Sequence, residues 1–310
     1  MMIEEFLKKY DILESGKIII ACSGGSDSIY LLSEILKYKK NEDIIVCHFN
    51  HNLRAEESTR DEKFVSDFCA ENQLKYEIGE SDIKKISESL KIGIEETARI
   101  KRYEFLREMK VKYDSKYILT AHHLDDKIET FMLNLIRGTK LKGLISIEEK
   151  NDDLLRPLLH ISKKDILKHL NDCKIPFIED SSNSDDNYLR NHIRLNITPL
   201  FEKINPNYRS SFDSIMEYFG ELKNSFDDQI RAIIDGKDYF EISEFEILSL
   251  FMKKELIRYV FEKTNNGTIG LTRSNIDEVI RFIGDKGNHT KKEIKQMKLL
   301  KKNGKVYFMD

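Results

Sequence analysis

The chain has 310 residues, 40% of them apolar and 34% charged, and a formal net charge of −3, which fits a water-soluble globular protein of one large or two smaller domains. No run of about eighteen apolar residues could span a bilayer, and the opening MMIEEFLKKY is charged where a secretory signal would be apolar. Cys22, Cys47, Cys69 and Cys173 lie far apart with no CxxC pair, so zinc, iron–sulfur and dithiol chemistry lose their usual support and a reducing cytosol is the default.

Short apolar runs alternate with helical patterns through the first half. Ile18–Cys22, Ile44–Phe49 and Tyr117–Thr120 read as buried strands, and Leu74–Ile78 as a weaker one. Between them Asp27–Lys37, Thr59–Asn72, Glu95–Met109 and Asp125–Arg137 have helical spacing. Strand–helix alternation of this kind predicts an α/β fold, a five-stranded parallel sheet with helices on both faces. A fifth strand is expected at Ile175–Ile178, after a helix opened by Ser162 and Asp165 in a capping-box pattern. From Asp180 the texture turns polar, then basic and amphipathic, and Asn205-Pro206-Asn207 marks a break. A long helix is expected from Tyr208 to about Ile234. A small α+β segment should follow, with helical spacing around Phe245–Glu262 and a strand near Val306–Met309. The expected organisation is a catalytic domain over 1–205, a linker helix over 206–235 and a small basic domain over 236–310. Residues 281–310 hold nine Lys/Arg against three Asp/Glu. Such an end suits a polyanionic partner, or forms a lysine-rich solvated helix.

The sharpest local signal is SGGSDS, Ser23 to Ser28, directly after the first strand. In an open parallel sheet ligands bind at the carboxyl ends of strands. Gly24 and Gly25 let the backbone curl, the following helix adds unpaired N–H groups and its positive dipole end, and Ser23, Ser26 and Ser28 add hydroxyls. This suits a phosphate or pyrophosphate. The pattern is neither GxxxxGK[ST] nor GxGxxG, so it points to holding pyrophosphate while chemistry occurs at the α-phosphorus. Asp27 beside phosphates calls for a cation, either magnesium or a substrate ammonium.

Four further segments converge on the same edge. HFNHNLR, His48 to Arg54, begins at the end of the second strand. TAHHLDDKIETFMLNLIRGT, Thr120 to Thr139, sets His122, His123, Asp125 and Asp126 ahead of Glu129 on a helix. Asp126 and Glu129 are three apart, so both project from the first turn, and a carboxylate pair can capture an amine as its cation and then take its proton. Lastly, GIEETARIKRYEFL carries Arg99 and Arg102, and NYLRNHIRLNITPL carries Arg190 and Arg194. Each pair forms either a solvated face or a cationic edge suited to phosphates and splayed bases.

The series SGGSDS, HFNHNLRAEESTRDE, GIEETARIKRYEFL, TAHHLDDKIETFMLNLIRGT, RPLLHISKKDI and EDSSNSDDNYLRNHIR resembles the tRNA(Ile)-lysidine synthases, in their short form, within the N-type ATP pyrophosphatases (PP-loop family). The resemblance covers roughly residues 15 to 210. It implies a cytoplasmic enzyme that adenylates the wobble cytidine of an isoleucine tRNA with a CAU anticodon, using ATP, and then joins L-lysine to C2. It also implies Mg2+, no membrane, and leaves room for a homodimer. By resemblance, Ser23 to Ser28 hold pyrophosphate, and Asp27, Asp126 and Glu129 hold magnesium or the lysine amine. Arg99 and Arg194 stabilise the adenylated cytidine, Arg102, Arg137 and Arg190 assist, and His123 orients the carboxylates. Family members often carry RGTGxxGL where this chain has RGTKLKGL, with Lys140 in place of a glycine. The basic last thirty residues are expected to grip tRNA phosphates. The competing readings are a PP-loop tRNA thiolase, which the scattered cysteines disfavour, and a nucleotide-binding module without enzymatic activity, which has no need of the carboxylate–histidine cluster.

Overall fold

The computed structural model describes residues 3–52, 55–179, 189–265, 267, 270–285, 287 and 290–309. Arg54, and the polar stretch 180–188 singled out above, lie outside the described residues. The chain forms two compact units, Met1–Glu217 and Tyr218–Asp310.

In the first unit helix α1 (Ile3–Lys9) leads into strand β1 (Ile18–Ala21), α2 (Ser26–Ile35), β2 (Ile44–Asn50), α3 (Ala55–Glu71) and β3 (Lys75–Glu80). Next come α4 (Ile83–Leu90), α5 (Ile94–Lys112), β4 (Tyr117–Leu119), α6 (Leu124–Ile136) and α7 (Leu141–Leu144). β5 (Lys150–Asn151), β6 (Leu154–Leu155), α8 (Lys163–Asp172), α9 (Leu189–His192) and α10 (Thr198–Ile204) complete it, a π-helical turn at Ile193–Ile197 joining the last two. The long helix α11 (Tyr208–Ile234) has the expected ends, and the two units divide inside it.

The sheet runs β3-β2-β1-β4-β6-β5. Its first five strands are parallel and β5 is an antiparallel edge. Strands buried on both faces explain the continuous apolar runs. Ile18, Ile20, Ile44, Val46 and Leu119 pack with Ile29 and Leu32 of α2, Val65 of α3 and Ile166 of α8. On the other face Ile19, Ile45 and Ile118 meet Phe105 and Leu106 of α5. The α/β expectation therefore holds, with one strand corrected. The fifth parallel strand is Leu154–Leu155, while Ile178 makes only an isolated bridge to Gly25. Pro176 lacks the N–H a ladder needs, and a two-residue strand leaves no readable run.

The second unit adds β7 (Tyr239–Glu241), α12 (Ile242–Ile247), α13 (Leu250–Asn265), α14 (Arg273–Gly284), β8 (Thr290–Ile294), β9 (Met297–Lys302) and β10 (Lys305–Met309). Its antiparallel sheet runs β7-β10-β9-β8. The basic end is thus strands rather than a solvated helix. Met297, Leu299, Val306 and Phe308 face a core shared with Leu256, Phe261, Ile276 and Val279. Lys301 also points inward, where its ammonium donates to the carbonyls of Phe282, Ile283 and Asp285 at the end of α14, a cation at the negative end of a helix.

Candidate active site

The turn between β1 and α2 is built by its own side chains. Gly24 has φ +88, a left-handed conformation that costs other residues strain. A Cβ there would also lie 3.1 Å from Ile178 Cδ1 and 3.2 Å from Val65 Cγ2. Gly25 caps α2 without a side chain, so the first amides of that helix face outward with no carbonyl one turn back. Buried Ser28 is a staple: its Oγ accepts from Ser23 N at 3.2 Å and donates to Gly25 O at 2.9 Å.

Across the crevice, His123 caps α6 in a reciprocal box with Asp126: His123 N donates to Asp126 Oδ2 at 3.1 Å, and Asp126 N donates to His123 Nδ1 at 3.4 Å. The ring's other nitrogen lies 3.6 Å from Asp27 Oδ2 and 3.5 Å from Asp126 Oδ2. One buried imidazole thus links the loop to the acidic corner. Glu129, 1% exposed in its side chain, takes Arg194 in a fork: Nε to Oε1 at 2.7 Å and Nη2 to Oε2 at 3.1 Å. Arg194 Nη2 also reaches Asp126 Oδ1 at 3.5 Å. Arg194 stands in the π-helical turn, a local widening frequent at functional sites.

The two carboxylates are tuned apart. Burial works to raise the pKa of Asp126, but His123, His122, a backbone N–H and Arg194 outweigh it and hold the group below its ordinary value. For Glu129 burial wins over Arg194, and its pKa is raised. Burial also pushes His122 and His51 down to about 4, with Arg102 adding to both. Both rings are therefore neutral near pH 7. His48 Nδ1 is bonded to Cys22 O at 3.0 Å, which makes that nitrogen the donor.

The predicted arginines separate. Arg99 is mostly exposed, 3.8 Å from Glu96 on the outside of α5, the solvated face its spacing left open. Arg102 instead acts on His51 and His122, and its buried Nε has no hydrogen-bond partner among the described residues. Arg190 Nη2 donates to Thr130 Oγ1 at 3.1 Å. Arg137 is exposed at the end of α6, away from the corner of Asp126 and Glu129. Lys140 has φ −94 as the cap of α7, whereas Gly138 has φ +69. The lysine therefore occupies a position that does not require glycine.

A model of the PP-loop domain matches residues 1–201. A tRNA(Ile)-lysidine synthase of Petrotoga mobilis is 34% identical over 266 residues, 84% of this chain and 83% of that protein. The chain belongs to the PP-loop family, in its tRNA(Ile)-lysidine synthase branch. The enzyme of the same description from Bacteroides thetaiotaomicron is 35% identical over 215 residues, 69% of this chain and 50% of that one. The chain spans about half the length of the first curated relatives it matches. Among solved structures, a U34-tRNA thiolase of Methanococcus maripaludis with a [4Fe-4S] cluster gives a TM-score of 0.56 at 20% identity, covering 67% of this chain and 73% of that one. That likeness concerns the fold alone.

Within this PP-loop frame the structure adds residues that spacing did not single out. Lys163 Nζ lies 2.6 Å from both Asp27 Oδ1 and Ser26 Oγ. Asp125, grouped by sequence with the acidic corner, is a brace: it accepts from Lys163 N at 2.7 Å and from Arg209 Nε at 2.8 Å. Lys163 sits inside RPLLHISKKDI, a segment quoted for resemblance, yet nothing in its spacing signals that it folds back onto the first loop.

Proposed function

We propose that this protein uses ATP to adenylate the wobble cytidine of the CAU anticodon of isoleucine tRNA. It then transfers L-lysine to C2, releasing AMP and pyrophosphate. The observation that carries the reading is the joining of a pyrophosphate loop to a buried acidic corner through His123. Cytosine O2 is a poor leaving group and AMP a good one, so activation at the α-phosphorus comes first. The amides of Gly25 and the first turn of α2 face the outgoing phosphates. The Arg194 guanidinium supplies donors for charge on the adenylated base, and Arg102 adds positive charge beside His51 and His122.

At pH 7 only about one lysine amine in 2,500 is neutral, so the nucleophile enters as a cation. Asp126, held low, remains an anion to receive it. Glu129, pushed up by burial, is the better proton acceptor. Asp27 and Asp126 each place an oxygen near His123 Nε2. Hard carboxylate oxygens of this kind suit Mg2+, which when bound would neutralise phosphate charge.

The outer face of the C-terminal sheet is the proposed RNA surface. Cross-strand neighbours Tyr239 and Tyr307 hold their rings 5.3 Å apart, and Tyr307 is also opposite Leu300. Lys291, Lys298 and Lys302 are exposed around them. Lysines suit phosphates and tyrosine faces suit unpaired bases. A location in the cytoplasm fits the reading. The thiolase alternative is disfavoured by burial, which raises the thiol pKa of Cys22, Cys47 and Cys69.

The test is incubation with ATP, labelled lysine and a transcript of CAU-anticodon isoleucine tRNA. Label retained in RNA together with AMP and pyrophosphate is expected. Nucleotide binding without label in RNA would overturn the proposal.

A further inference from the structure

The loop Ser23–Ser28 carries no basic residue, although a triphosphate beside Asp27 demands positive charge. The fold delivers one from 136 positions away, where the Lys163 ammonium donates at 2.6 Å to Asp27 Oδ1 and at 2.6 Å to Ser26 Oγ, the first residue of α2. Its backbone is fixed. Lys163 opens α8, Ser162 caps that helix by accepting from Asp165 N at 3.1 Å, and Lys163's own N–H is held by Asp125 at 2.7 Å. The side chain is still 34% exposed and Asp27 30%, so a ligand in the loop can reach the ammonium. An anchored backbone with an accessible charged tip is suited to meeting a ligand rather than filling a core.

We propose that Lys163 is a catalytic residue that grips the outgoing pyrophosphate, bridging Asp27 and the phosphate oxygens once ATP is bound. The inference rests on the nucleotide reading above. In the adenylation step cytosine O2 forms a bond to the α-phosphorus, the bond from that phosphorus to the bridging oxygen of the β-phosphate breaks, and the electron pair leaves on pyrophosphate. Lys163 stabilises that charge. Lys163 thereby performs from α8 what a lysine inside the phosphate loop does in GxxxxGK[ST] proteins.

The test uses inorganic pyrophosphate and AMP as separate probes, titrated calorimetrically into the full chain as wild type, Lys163→Met, Lys163→Gln and Lys163→Arg. Loss of a charge-assisted contact should weaken pyrophosphate about tenfold to a hundredfold in the Met and Gln variants. Arg should recover most of the affinity, and AMP, which lacks the outgoing phosphates, should bind as before. Unchanged pyrophosphate affinity in a variant with wild-type melting would overturn the proposal. So would equal weakening of AMP and pyrophosphate, which is the mark of a collapsed loop. A wild-type protein that binds neither probe would instead sink the nucleotide reading on which this rests.

Discussion

Asp126 and Glu129 are three residues apart on one helix, yet their surroundings give them different chemistry. Asp126 sits among histidines and a backbone donor that keep it ionised, while Glu129 is deep enough that burial prevails over its own arginine. Asp126→Asn removes the anion but keeps the shape, so ATP binding should persist while lysine transfer is lost; normal transfer would remove Asp126 from the amine site. Arg194→Ala strips Glu129 of its counter-charge, and its pKa should climb further above the ordinary carboxylate value. A carboxylate with a higher pKa becomes a base only at higher pH, so the acidic limb of the transfer rate against pH should move upward. An unmoved limb would show that Glu129 is not the proton acceptor.

At the scale of elements, the turn after β1 distinguishes its two glycines. Gly24 is left-handed with Ile178 and Val65 against it, whereas Gly25 has φ −70 and a Cβ there would meet nothing closer than Ser23 Oγ at 3.5 Å. Gly24→Ala should therefore cost about 1–2 kcal/mol from backbone handedness alone, with added loss from crowding. Gly25→Ala should cost less than that. Thermal melts of both variants, read beside nucleotide binding, test the difference. The C-terminal sheet divides its lysines in the same way. Lys301 is committed to the end of α14, while Lys298 and Lys302 point outward. Replacing either outward lysine by alanine should lower the salt slope of tRNA binding by about one. Tyr307→Ala should weaken binding while leaving that slope alone. A tyrosine variant with wild-type affinity would move the RNA surface elsewhere.

Across the first unit as a whole, one charge network ties distant segments together. His160 holds Asp213 Oδ2 at 2.7 Å and Glu149 Oε1 at 2.9 Å. Lys127 joins Asp213 at 2.7 Å, and Lys9 joins Glu149 at 2.6 Å. Hydrogen bonds to the two carboxylates raise His160 from 6.5 to about 9, and those from His160, Lys9 and Tyr10 lower Glu149 to about 2 despite burial. Because the folded value of His160 is raised, its contribution is complete below pH 6.5 and fades as pH rises through about 9. That of Glu149 is complete above about 4.5 and fades as pH falls through about 2. Thermal stability should therefore decline between neutrality and pH 9 by an amount on the order of 2–3 kcal/mol. His160→Gln should flatten that alkaline decline, and a decline of the same size in the variant would assign it elsewhere. Among the described residues no helix is long and apolar enough to cross a membrane.

Local pattern made the strand–helix alternation, the glycine turn and the acidic helix start readable, because buried parallel strands are continuous apolar runs and helix caps use neighbours three residues apart. The ends of α11 and the Ser162 cap were legible for the same reason. What the linear chain left open were the choices made by contacts distant in sequence. Leu154–Leu155 becomes the fifth parallel strand by pairing with β4, and Pro176 keeps Ile178 to a single bridge. Arg99 and Arg102 share one face of α5, yet Arg102 lies beside His51 and His122 while Arg99, one turn earlier, stays in solvent beside Glu96, because the neighbouring segments cover only the later turn. Lys163 meets Asp27 only because α2 and α8 pack side by side on one face of the sheet. Sequence determined which groups are present and which local geometry each adopts. Only tertiary packing, which brings together carboxylates, histidines and cations far apart in the chain, decided which charges meet and in which protonation state.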